Sequence, residues 1–411
     1  MQTYINEKTP GIRTENGGIK LFEALLLTVY VIAASVYSTV TLLVGSVVPS
    51  EYFALLLSVA MPIAGIAVLS RITASIKPLL PFCIITAIIL FLGADLGVSS
   101  AIAVALLLWA SAAYLLRAKL PWLVVFACAS SCALTYLLTK SILVTVCSAI
   151  FLPVALALYL SFEKKAQRVG AVCAVSATLG AVGLLLLLAF IYSSEGSLYP
   201  SVIRGFIDSL REALIVSVTD TLVAASDQLS APITSADAMS LTTTAVTLAF
   251  NLFPAILTVL LFIISYVTHS LYISVISHTV EDKKDIIHAI SFKMSLASAL
   301  IFLISFFAAL ILDYEGLGLA ATVAQNMYLI LFPGLSLITF GFIGSLSKNK
   351  GASCLTSLVY FAIFGLILFI PGVAAEIAGT VISVSAFVGA VLVIISAVKS
   401  KAKNNTTNDK K

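Results

Sequence analysis

Apolar runs of about twenty residues, separated by short polar stretches, fill almost the whole chain. A helix needs about that length to cross about 30 Å of hydrocarbon. A membrane barrel would instead alternate polar and apolar positions in shorter segments. The runs predict spans at 21–46, 52–70, 78–94, 98–116, 120–139, 141–162, 169–193, 241–277, 292–312 and 318–346. The run 355–398 is too long for one crossing, and Pro371-Gly372 divides it into two more. The fold class is therefore all-α, a polytopic membrane helical bundle of about twelve transmembrane helices.

One long break interrupts the series, at 194–240. Within it Val202, Ile203, Phe206, Ile207, Leu210, Leu214 and Val218 recur at helical spacing, with Arg204, Asp208, Arg211 and Glu212 on the other side. This predicts an amphipathic helix on the membrane surface or capping the bundle. Arg204 and Asp208, four apart, can pair. The domain reading follows: a polar segment 1–20, a first block of about seven helices at 21–193, the polar segment 194–240, a second block at 241–398, and a lysine-rich tail at 399–411 expected to be disordered.

Composition agrees. The 411 residues are 61% hydrophobic and 10% charged, too little charge to cover a soluble surface. Charge also orients the spans. With the N-terminus inside, the alternating loops leave only Lys140, Arg204 and Arg211 outside, of 23 Lys and Arg. That bias predicts both termini on the cytoplasmic side and the 194–240 segment outside. The net charge of +4 is spread over many loops, so no nucleic-acid partner is expected. The first run is too long for the apolar region of a cleaved signal and should remain as a span.

Prolines mark the candidate site. Pro254, in NLFPAIL, should deprive the carbonyl of Phe250 of its partner and kink the eighth span, with Asn251 beside it. Pro333, in ILFPGLS, should do the same to Leu329, with Gln325 and Asn326 two turns earlier. Pro62 and Pro153 occupy other outward-to-inward helices. Broken helices with polar neighbours point to a ligand pocket of Thr243, Thr244, Thr247, Asn251, Pro254, Gln325, Asn326 and Pro333. The competing reading is kinked helices joined by amide and hydroxyl bonds. Ionisable residues within spans are few: Glu23 and Glu376 read as interfacial, and His269 as an interfacial histidine reaching for the inner surface. Gly334, Gly341 and Gly344 offer a small-residue face, as do Ala34 and Ser38.

Several chemistries are missing. There is no phosphate-binding Walker loop, no zinc-type histidine cluster, no GxSxG and no dinucleotide glycine pattern. The six cysteines sit in or at the end of apolar runs and read as packing residues. No catalytic residue, metal or cofactor is expected; the lipid bilayer is the expected partner.

From about Arg204 to Ile395 the order of features resembles the YybS-like family of uncharacterised bacterial membrane proteins. The resemblance rests on VIRGFIDSLREAL, LFPAILTVLLFIISYVTHSLY, NMYLILFPGLSLITFGFI and the closing hairpin. That family is more distantly similar to the membrane substrate-binding subunits of energy-coupling vitamin transporters, whose six helices match the count over 20–165. The resemblance implies a multi-pass protein of the bacterial cell membrane, with energy-coupling transporter subunits or cell-envelope proteins as partners. The expected function is transport-related binding of a small molecule within the bundle, without an ATPase of its own. The alternatives are an interaction protein docking an envelope partner through the outer helix, and a glycosyl-lipid polymerase or ligase.

Overall fold

The computed structural model describes residues 21–45, 51–92, 95–228, 234–277, 286–290, 292–346, 359–360 and 373–408. The order is α1 (Leu21–Val44), α2 (Glu51–Ile72), α3 (Leu80–Leu92), α4 (Leu96–Arg117), α5 (Pro121–Thr139), α6 (Ile142–Ser148) and α7 (Phe151–Glu163). Then come α8 (Arg168–Glu195), α9 (Pro200–Gln228), α10 (Ser235–Asn251), α11 (Phe253–Ser277), the single turn α12 (Ile287–Ile290), α13 (Leu296–Tyr314), α14 (Gly318–Leu346) and α15 (Val373–Asn408). Among the described residues, ten segments are long and apolar enough to cross a membrane, α6 and α7 counting together as one.

Two expectations change. The run at 78–94 yields only the 13 residues of α3, which rise about 20 Å, short of a full crossing. The run at 241–277 is two helices, and only α11 qualifies as a span. Residues 1–20 and 361–372, with them the division at Pro371-Gly372, and the side chain of Glu376 lie outside the described residues. The helix α15 continues to Asn408, into the stretch whose composition suggests disorder.

Local chemistry sets the helix ends. Asp95 caps α4 by accepting from the Val98 amide at 3.0 Å, and Ser295 caps α13 by accepting from Ser298 at 3.1 Å. Thr234 accepts from Asp237 N at 3.1 Å at the start of α10. Gly316 follows α13 with φ of +72°, a conformation that costs glycine little.

The chain divides into two compact units. The first comprises residues 1–179, 264–293 and 340–381; the second comprises 180–263, 294–339 and 382–411. In the first, α4 is the hub, packed against α1, α2, α3, α5 and α7. Its sequence supplies the reason. Ser99, Ser100, Ala101, Ala103, Ala110, Ser111, Ala112 and Ala113 are all buried, and small side chains let helix backbones approach where lipid gives no hydrophobic drive. Ala34 and Ser38 are buried on α1, as their spacing suggests. The Tyr37 hydroxyl lies 3.1 Å from those of Ser58 and Ser100, joining α1, α2 and α4. A groove of about 440 Å³ between α1, α2 and α5 is walled by Val29, Ile32, Leu57, Met61, Leu134 and Leu137 and offers almost no polar contact.

In the second unit, α13, α14 and α15 pack through Phe302, Leu335, Ala386 and Ala390. Phe306 and Phe387 meet edge-to-face at 4.5 Å. The close contact here is at Gly389, where an added Cβ would fall 2.0 Å from the Leu335 carbonyl oxygen. Gly341, by contrast, has open space around it among the described residues. In the same unit α9 and α10 lie side by side.

Candidate functional site

The interrupted helix between α10 and α11 brings three of the sequence-derived residues together. The break falls at Leu252, whose amide donates to the carbonyls of Leu248 and Phe250. Phe250 therefore keeps a partner. Pro254 is the second residue of α11, a position where a missing N–H costs nothing and the fixed φ suits a helix start. It starts a helix and does not kink one, contrary to the sequence reading, because the chain stops being helical just before it.

The break frees two other groups, the carbonyl of Asn251 and the amide of Ala255. The side-chain amide of Asn326 on α14 fits between them. Its Nδ2 donates to Asn251 O at 2.9 Å, and its Oδ1 accepts from Ala255 N at 3.0 Å. One side chain thus replaces the hydrogen bond that an unbroken helix would make there. Nδ2 also donates to Thr322 O at 3.0 Å.

The remaining predicted residues surround this knot less closely. Thr247, one turn before Asn251, donates to Thr243 O at 2.6 Å and accepts from the guanidinium of Arg211 on α9. Gln325 is half-buried beside Asn326. Pro333 is buried two turns further along α14, where the helix continues through it, and its carbonyl accepts from Ser336 at 3.1 Å. The side chains of Asn251 and Pro254 are exposed.

Arg211 is the member that sequence reasoning missed. Periodicity puts it on the polar side of α9, and in the structure that position faces α10. Among the described residues its guanidinium has no carboxylate within ion-pair distance, and its buried Nε has no hydrogen-bond partner. The stripe Arg211, Ile215, Thr219, Leu222 and Ser226 is the more buried side of α9, while Ile207, Leu210, Leu214 and Val218 are exposed. Arg204 and Asp208 pair at 4.0 Å as their spacing suggests, fully at the surface.

A second cluster lies in the first unit. His269 in α11 is 2% exposed, so it does not reach for an interface as the sequence reading had it. One turn on, Tyr272 is fully buried. The Phe162 ring packs edge-on against Tyr272 at 6.1 Å and lies tilted against His288 at 5.5 Å. Arg117 lies over the same ring at 4.4 Å and pairs with Glu163 at 3.6 Å. Arg168 lies over Tyr266 at 4.2 Å and donates to Ser270. The signal available in the sequence was THSLY at 268–272, a histidine and tyrosine on one face of a span.

Helical, repeatedly long enough to cross a bilayer, and built on small-residue contacts, the chain is a multi-pass membrane protein. It belongs to the family described as predicted membrane protein (DUF2232), whose profile matches residues 84–381, more than two thirds of the chain. The match begins well before Arg204, so the first half shares in it. Neither a curated protein nor a solved structure matches the chain.

Proposed function

We propose that this protein is transport-related and binds a small molecule at the interrupted α10–α11 helix, with Thr247, Asn251, Pro254, Gln325 and Asn326 around the ligand, Pro333 further along α14 and Arg211 as an added polar anchor. The observation that carries the reading is the half-buried Arg211 guanidinium held on Thr247, one turn from an exposed helix break. Irregular backbone in a membrane protein belongs where it lines protein or a watery cavity. Among the described residues this cation has no anionic partner, which favours a ligand that carries a carboxylate or phosphate. Energy would come from partner subunits, and the bacterial cell membrane is the proposed location.

The test is the unfolding temperature of the detergent-purified protein against a panel of vitamins and metabolites. A ligand-dependent rise is expected, diminished in Arg211→Gln and Gln325→Leu. An undiminished rise in both variants would remove the site. One observation favours a second reading, the interaction protein: the exposed apolar strip Ile207, Leu210, Leu214 and Val218 on α9. A partner that co-purifies only when residues 200–230 are intact would favour it.

A further inference from the structure

We propose that the cluster around Phe162 is a binding site for an oxyanion of the phosphate class. It is separate from the interrupted helix and does not rest on that reading. Among the described residues, three buried polar atoms there have no hydrogen-bond partner: Nδ1 of His269, the hydroxyl of Tyr272 and Nε2 of His288. Buried polar groups are almost always paired, so three orphans, two of them a turn apart on one face of α11 and the third on α12 against the Phe162 ring, need an occupant. Tyr272 and His269 are the most deeply buried of them, at 0% and 2% exposure.

The surrounding charge selects the kind of occupant. Arg117 and Arg168 place two guanidinium groups in the cluster, and the carboxylate beside them, Glu163, is engaged with Arg117. His269 lies within electrostatic reach of Arg168 and His288, and Tyr272 of Arg117 and Glu163. A cation is therefore repelled. A metal ion is also unsuited, since no group of three His, Cys, Asp or Glu among the described residues could hold one. A water molecule could satisfy the donors and leave the positive charge unanswered. A phosphate oxygen does both: it accepts from a tyrosine hydroxyl and from imidazole N–H groups, and charge-assisted bonds of this kind are the stronger ones. The phosphate could belong to a soluble molecule or to a lipid headgroup, because Lys283 and Lys284, which follow α11 in the sequence, mark this end as one at the inner membrane surface.

The test uses the full-length protein in neutral detergent. Its unfolding temperature is followed with inorganic phosphate, with chloride at matched ionic strength, and with short-chain phosphatidate against a zwitterionic lipid of equal chain length. Phosphate or phosphatidate should raise the temperature in a saturable way, and chloride and the zwitterion should not. Response to phosphate marks a soluble ligand, response to phosphatidate alone marks a headgroup, and either supports the proposal. Tyr272→Phe then separates ligand binding from structure. It removes an unpartnered buried hydroxyl, so the empty protein should unfold at the same or a higher temperature, while affinity for the anion falls at least fivefold. A lower unfolding temperature for the empty variant would show that the hydroxyl is already partnered. His288→Gln, at a half-buried position, repeats the affinity test should Tyr272→Phe fail to fold. No response to either anion, or a response that both variants retain, overturns the site.

Discussion

Two helix breaks, one in each unit, resolve the same problem differently. In the first unit the chain leaves helical geometry between α6 and α7, just before Pro153. In the second it does so between α10 and α11, just before Pro254. Each proline removes an N–H, and in each case the carbonyl four residues back is rescued locally: Ala149 accepts from Leu152 N at 3.0 Å, and Phe250 from Leu252 N. A carbonyl next to the rescued one, before it at the first break and after it at the second, is then freed and takes a partner from a distant helix. At the first break the Ser35 hydroxyl donates to Ser148 O at 2.7 Å. At the second, Asn326 serves both Asn251 O and Ala255 N.

The difference lies in chemistry and access. The hydroxyl of Ser35 makes one bond to the break, and Ser35, Ser148 and Phe151 are each 1% exposed, so that break is sealed in protein. An amide can both donate and accept, and the second break leaves Asn251, Phe253 and Pro254 exposed. A sealed break serves packing. An open one, with Arg211 nearby, leaves backbone and side chains where a small molecule could reach them.

The largest expected effect is Asn326→Leu, which strips both partners from the second break and should cost about 2–4 kcal/mol in equilibrium unfolding from detergent–urea mixtures. A cost no larger than that of an exposed surface change would show that the knot contributes nothing. Gly389→Ala in the same unit should come next, at about 1–3 kcal/mol, because its Cβ would meet the backbone of Leu335. Ser35→Ala should cost about 1–2 kcal/mol, since one buried carbonyl loses its donor. If Ser35→Ala matched or exceeded Asn326→Leu, the contrast between one-bond and two-bond rescue would collapse. Pro254→Ala should change stability by less than about 0.5 kcal/mol, as expected at a helix start and not in a helix interior. A gain of several times that would restore the interior-kink reading. Asp208→Asn should be the smallest effect of all, because the pair with Arg204 lies in solvent-like surroundings.

These cases show how far the chain could be read unaided. The helical class, most spans, the α9 helix and its Arg204–Asp208 pair follow from periodicity and length. The interruption of 241–277 did not, because an apolar run looks the same whether proline lies inside a helix or begins one. Asn326 was legible as a polar residue near a proline, but its partners lie 75 and 71 positions away. Arg211 does lie away from the apolar strip of α9, but that strip is the exposed one, and the stripe carrying Arg211 and Ile215 is the covered one, which periodicity alone does not reveal. His269 was misjudged for a related reason: depth along a span is countable, whereas the neighbours Arg168 and His288 are brought in by packing.

That this chain threads a membrane many times is legible residue by residue, since crossing a bilayer is a local property of about twenty consecutive residues. Packing between helices settles which freed carbonyl finds which partner, which face of α9 is covered, and that a histidine, a tyrosine and two arginines share one buried cluster. Those outcomes depend on residues far apart in the chain, and no local pattern encodes the distance between them.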